Sequence, residues 1–295
     1  MLGTLARLGL DALTSYEGQS VFPLAWVQAT GCLVMGFAVG LREPITQFSP
    51  SLYTAITTGF CGSLTTFSSW NLDMFLAFSN ASGARRIWLY DAVDGLSHLF
   101  VTFSVSLSSL ALGLHLAKLV LPFLPVKITP LSPLIQYIIS ALSIVSYILT
   151  IPLYFILSHA FRPQATSALL FAFPGTLTRY ILSVTLNPRI PSFPLGTFAA
   201  NIFATALIGA FHTLQHRDNP LISHVSCEIL KGLSDGYCGC LSTVSTFAVE
   251  VRALKRKAWV YAAASLIVAQ ISLVLIAGVP RWSGVTKESS MCSYE

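Results

Sequence analysis

The sequence predicts an all-α membrane protein of about nine transmembrane helices, built as two inverted four-helix repeats joined by a linking helix. Three observations predict it. The composition does not suit water as the main solvent, apolar runs of membrane-crossing length follow one another along the chain, and three short motifs recur in the same order. Of 295 residues, 54% are hydrophobic and only 10% charged, and the mean hydropathy is +0.70, whereas soluble domains carry roughly 25% charged residues. The net charge is +5, but the basic residues stand singly or in short loop clusters. That pattern belongs to membrane loops and excludes a nucleic-acid footprint. The six cysteines (Cys32, Cys61, Cys227, Cys238, Cys240 and Cys292) have no framework spacing, so no disulfide scaffold is expected.

A membrane-crossing helix needs about 20 mostly apolar residues. Runs of this kind cover roughly 1–14, 22–41, 51–71, 97–120, 134–157, 167–186, 194–215, 222–249 and 258–279. Charge and proline collect between them, as in Arg42-Glu43-Pro44, Arg85-Arg86, Arg162-Pro163, Asn187-Pro188-Arg189 and Arg252 through Lys257. No run alternates as a barrel strand does. The first run is short and carries Arg7 close to its start, from which an incomplete start is expected. Basic residues divide eight to seven between the two sides, which gives no positive-inside bias. The 252–257 cluster and an Asn80-Ala81-Ser82 sequon on the other side favour a cytoplasmic N-terminus.

The repeat is read from three pairs of motifs. GTLAR (Gly3 to Arg7) returns as GTLTR (Gly175 to Arg179). Phe22-Pro23-Leu24 returns as Phe193-Pro194-Leu195, and GFCGSLTTFSS (Gly59 to Ser69) returns as GYCGCLSTVST (Gly236 to Thr246). The order is the same and the offset along the chain is nearly constant. The expected units are 1–125, a linking helix in 126–160, and 161–295. Four spans plus one is an odd number, so the second repeat enters the membrane inverted. Glycine, serine and threonine in mid-span disfavour continuous helix. Such a segment is either a close helix–helix contact through small residues or a helix broken inside the protein, whose free carbonyls can bind a cation.

The repeated G-[FY]-C-G-x-L-[ST]-T-x-S element resembles that of the fluoride channel family, CrcB or Fluc in bacteria and FEX in eukaryotes, over nearly the whole chain. The resemblance implies a passive, fluoride-selective export channel in a plasma membrane. It also implies a structural sodium ion held by the main-chain carbonyls of Gly62, Thr65, Gly239 and Ser242. It places Phe67, Phe247 and Asn201 in one pore. The corresponding positions of a second pore carry Trp70, Val244 and Gln28, so one working and one degenerate pore are expected. Fusion of the halves implies a monomer whose partners are fluoride and the lipid bilayer, with no nucleic acid. Fluoride is small and strongly hydrated; amide and hydroxyl donors and the positive edges of aromatic rings can replace its water without trapping it.

Hydroxyls at Ser97, Ser104 and Ser108, and at Tyr261, Ser265 and Ser272, share helical faces and would extend a polar track through the pore. Arg7 and Arg179 occupy the same place in the two repeats; they either attract anions at a vestibule or snorkel to headgroups. The rival class is a secondary transporter of a small solute or anion on inverted repeats. Such proteins carry coupling carboxylates within spans, whereas Asp73, Asp94 and Asp235 lie at span ends. An enzyme is disfavoured, since neither a phosphate-binding loop nor an HExxH motif is present.

Overall fold

The computed structural model describes residues 1–14, 22–125, 128–157, 162–217 and 223–286. Within them the chain is helical throughout, and the only ladder contact is an isolated bridge between Arg217 and Thr286. Helix α1 is Leu2–Thr14, α2 is Pro23–Gly40 and α3 is the short Arg42–Phe48. Helix α4 starts as Pro50–Thr54 and continues through a π-helical stretch, Ala55–Cys61, into a last turn, Gly62–Leu64. Helix α5 is Phe67–Phe78 and α6 is Trp88–Val120. The linking segment is α7, Pro133–Ile148, followed by α8, Thr150–Ile156. Then come α9, Ser167–Leu186, and α10, Leu195–Gln215. Helix α11, His224–Gly232, again passes through a π-helical stretch, Leu233–Cys238, to a last turn, Gly239–Leu241. Helix α12 is Val244–Ala253, and α13 runs from Ala258–Leu273 into Val274–Gly278 and Val279–Trp282.

Among the described residues, six helices are long and apolar enough to cross a membrane: Pro23–Gly40, Trp88–Phe123, Pro133–Ile156, Ser167–Arg189, Leu195–Gln215 and Lys255–Trp282. The other three expected spans differ for physical reasons. Helix α1 has 13 residues, about 20 Å of helix. The runs at 51–71 and 222–249 are each split in two. The fourth span is also longer than its apolar run, beginning at Trp88 and reaching 33 residues.

Small residues set the closest packing. The buried face of α6 is Thr102, Ser106, Leu110, Gly113 and Ala117, one helical stripe, and it lies against α2. A Cβ on Gly36 would collide with the Leu110 carbonyl, and one on Gly113 with the Leu33 carbonyl. This is the small-residue approach that lets membrane helices touch through their backbones. The linking helices are the opposite case. Most of their side chains are exposed, and they are tied down by Tyr147, which donates to the Leu170 carbonyl at 3.0 Å, and by Tyr154, which donates to Glu228 at 3.1 Å. Cys32, Cys61, Cys238 and Cys240 are free and buried. Cys227 is disulfide-bonded, so the expectation from spacing does not extend to that residue.

Candidate functional site

Both split spans break in the middle of the repeated motif. Thr65 and Thr66 are extended (φ/ψ −89/144 and −135/121), and so are Ser242 and Thr243 (−85/157 and −157/135). β-branched threonine is at ease in that conformation. Each new half-helix is capped by its own threonine. Thr66 accepts from the Ser69 N–H and Thr243 from the Thr246 N–H, as hydroxyl N-caps do.

The remaining free N–H groups are capped from the other repeat. The Thr65 hydroxyl oxygen accepts the N–H groups of Val244 at 3.3 Å and Ser245 at 3.0 Å. In return, the Ser242 oxygen accepts those of Phe67 and Ser68, both at 3.1 Å. Each hydroxyl also donates to the carbonyl four residues back, Cys61 or Cys238, at 3.0 Å. Thr65 and Ser242 hold the same place in the two copies of the motif, as do Phe67 and Val244, so the exchange obeys the sequence repeat.

The two buried arginines cross over in the same way. Arg179, 2% exposed, donates from Nε to the Cys240 carbonyl at 2.8 Å and from Nη2 to the Thr58 carbonyl at 2.7 Å. Arg7 donates from Nη2 to the Asp235 carbonyl, and Asp235 is the repeat counterpart of Thr58, each standing directly before the first glycine of its motif. A Cβ on Gly62 would collide with the Arg179 guanidinium, and one on Gly239 with that of Arg7. The motif glycines therefore make room for arginines, and neither arginine snorkels.

The second-span amides brace the breaks unequally. Asn201 takes both main-chain groups of Thr243, accepting its N–H at 2.8 Å and donating to its carbonyl at 3.3 Å. Gln28 donates to the Thr66 carbonyl at 2.7 Å, and its Oε1 is buried without a partner.

The same protein-family model matches this chain twice, over residues 1–115 and again over 166–280; its description is CrcB-like protein, Camphor Resistance (CrcB). The chain belongs to the CrcB family. It is 35% identical to fluoride export protein 1 of Neurospora crassa over 96% of this chain, spanning 65% of that protein's length. It is 34% identical to fluoride export protein 1 of Schizosaccharomyces pombe over 96% of this chain and 94% of that protein. The fluoride-specific ion channel FluC of Chromobacterium violaceum is 35% identical over 37% of this chain and 85% of its own length. No solved structure matches the chain.

In this CrcB protein Phe67, Trp70, Val244, Phe247 and Tyr261 share one buried cluster. The Phe67 and Phe247 rings meet edge to face at 5.4 Å, and Phe247 is 5.3 Å from the Tyr261 ring. Trp70 stands 5.7 Å from Phe67 and donates its indole N–H to the His98 carbonyl at 2.9 Å. Of the expected hydroxyl track, Tyr261 and Ser265 are fully buried, with Ser265 donating to the Tyr261 carbonyl at 2.8 Å. Ser104 and Ser108 lie on the exposed face of α6, away from its packed stripe.

Two features escaped the sequence reading. Glu250 on α12 accepts from Thr197 and Tyr261, each at 2.6 Å. Its counterpart in the first repeat is Asp73, at the same distance beyond the motif, so the repeat itself carried the signal. Asn71 donates to the Phe67 carbonyl at 2.9 Å, and its Oδ1 accepts from Gln270 at 3.1 Å, which fixes the helix bearing Phe67 to α13.

The four carbonyls expected to hold sodium suit a hard cation. The hydrogen bonds across the breaks end on the carbonyls of Cys61, Thr66, Cys238 and Thr243, and those of Gly62, Thr65, Gly239 and Ser242 accept none of them. All four residues are buried, and such oxygens are what a cation needs in place of water. Beside the first break a cavity of about 570 Å³ is lined by Arg7, Thr66, Ser69, Asp73, Ser234 and Asp235, among others. Arg179 is not part of its wall.

Proposed function

We propose that this chain is a passive, fluoride-selective channel that lets cytosolic fluoride leave the cell, with nine spans in two inverted halves joined by the linking helix. The reciprocal capping of the two broken helices carries the reading. It fixes two half-helix starts, with their partial positive charge, against each other at membrane depth, where irregular backbone is tolerated only inside protein or beside a cavity. The names of the fungal and bacterial relatives support fluoride as the ion. Hydrogen fluoride enters neutral, ionises in a less acidic cytosol and is trapped; the inside-negative potential then drives the anion out, so no nucleotide or enzymatic step is needed.

The working pore takes Phe67, Phe247, Tyr261, Ser265 and Asn201; Ser104 and Ser108, on the exposed face of α6, fall outside it. Ring edges offer a weak positive potential to an anion. The rings touch in the structure, so passage requires them to part. The degenerate pore takes Gln28, Trp70 and Val244. The unpartnered Gln28 oxygen supports that assignment, since an acceptor repels fluoride, and so does the indole N–H of Trp70, already used on His98. Sodium at Gly62, Thr65, Gly239 and Ser242 would neutralise the carbonyls at the breaks and hold the two halves together. The fused chain acts as a monomer in the plasma membrane, with the N-terminus cytoplasmic.

The test is fluoride efflux from liposomes holding the full chain, with a potassium gradient and valinomycin, beside a chloride control. Fast fluoride loss without chloride loss is expected. Phe247→Ile should reduce it by about a hundredfold, the scale of misplacing one group on the path, with Trp70→Ile within about twofold of wild type. Equal loss in both variants overturns the single-pore assignment. Absence of fluoride flux from folded protein, or flux that requires a second ion, moves the transporter reading to the front.

A further inference from the structure

We propose that the basic turn 252–257, at the junction of α12 and α13, binds the phosphate headgroup of an anionic membrane lipid. Four of its six residues are basic, Arg252, Lys255, Arg256 and Lys257, and all four are exposed. None of them takes part in an ion pair among the described residues, where the pairs join Arg86 to Asp91 and Asp94, His98 to Asp94 and Lys231 to Asp235. The carboxylate nearest in the chain, Glu250, is engaged by Thr197 and Tyr261. The charge of the turn is therefore left for a partner outside the protein. The next residues indicate which one. Trp259 and Val260, in the first turn of α13, are 73% and 66% exposed. A bare tryptophan at the end of an apolar span sits at headgroup level, and four or more basic residues clustered at that place bind anionic lipid.

The turn is a built element. Leu254 packs against the buried cluster that holds Phe247. Its N–H donates to the Glu250 carbonyl at 2.9 Å, and its carbonyl accepts the Lys257 N–H at 3.0 Å. Lys255 takes a left-handed backbone, φ 49°, which few residues with a side chain adopt. Leu254 thus anchors the turn while Lys255, Arg256 and Lys257 stay outside. The repeat supplies a contrast. In the loop that joins α5 to α6, Arg86 donates to Asp91 at 2.5 Å and to Asp94 at 2.9 Å, so that loop neutralises its charge within the protein. Its counterpart in the second half leaves four charges uncovered. With the N-terminus cytoplasmic, as proposed above, the turn faces the leaflet that carries anionic lipid. It also follows directly on the helix that bears Phe247, so a lipid held there steadies the end of α12.

The experiment measures the unfolding midpoint of the full chain in dodecyl maltoside against the mole fraction of phosphatidylserine in the micelle, with phosphatidylcholine and water-soluble glycerol phosphate in parallel. A micelle has no sides and no flux is read, so the outcome is independent of the orientation and of the channel reading. A saturable rise with phosphatidylserine alone is expected. Arg256→Gln should raise the half-saturating fraction about fivefold, the worth of one basic residue at an anionic surface. Arg252→Gln, Lys255→Gln, Arg256→Gln and Lys257→Gln together should abolish the saturable rise, and Arg85→Gln, in the loop between α5 and α6, should stay within about twofold of wild type. If the fourfold variant does not fold, Arg256→Gln decides. Wild-type saturation in the turn variants overturns the site. An equal rise with phosphatidylcholine means that lipid only covers apolar surface, and saturation by glycerol phosphate means an anion site that needs no lipid; either overturns the proposal.

Discussion

The two broken spans come from one repeated motif, yet they are held differently. At the second break Asn201 takes both main-chain groups of Thr243, and Glu250 gathers hydroxyls from Thr197 and Tyr261. At the first break Gln28 takes one group of Thr66 and leaves its own oxygen unpaired, and a cavity opens beside Asp73. The reciprocal hydroxyl caps are the same on both sides. Duplication has preserved what each half needs from the other and has relaxed what each half does within itself.

The largest effects should come from the arginine clamps. Arg179→Met strands the Cys240 and Thr58 carbonyls, at about 1–3 kcal/mol each, and should give the largest drop in thermal unfolding midpoint. Arg7→Met strands the Asp235 carbonyl alone and should cost about half as much. Equal losses in thermal unfolding would show that the two clamps are interchangeable. Smaller is the effect of the shared caps. Thr65→Val and Ser242→Ala should each cost about 0.5–2 kcal/mol, the scale of an N-cap, and should match each other within error. A clear inequality in denaturant midpoints would mean that the two breaks are not reciprocal. Smallest is the contrast between acids: Glu250→Gln, which weakens two short hydrogen bonds from Thr197 and Tyr261, should destabilise by about 1–2 kcal/mol, and Asp73→Asn by less than about 0.5 kcal/mol. Replacing sodium with a bulky organic cation should lower the unfolding midpoint of wild type; no change would remove sodium from the breaks.

Much of this was legible in the chain. Six of the nine apolar runs are helices of membrane-crossing length, and the glycine, serine and threonine of GFCGSLTTFSSW and GYCGCLSTVSTF left two readings, close helix packing or a broken helix, of which the backbone takes the second. Hydropathy could not reveal that α6 begins at Trp88, since its first turns carry Asp91 and Asp94. Periodicity found the stripe of Ser97, Ser104 and Ser108 but not which stripe of α6 is packed. The packed one is set by Gly113 and Ala117 meeting α2, a fact about the neighbouring helix. The destination of Arg7 and Arg179 was hidden for the same reason: a repeat pairs residues by position, while contact pairs each residue with the other copy.

That crossing has a genetic consequence. Every reciprocal contact in this chain is written by two separate codons, one for each direction of the exchange. A substitution at Thr65 alters one direction and leaves Ser242 to maintain the other. Selection can therefore test each half of the bond one change at a time.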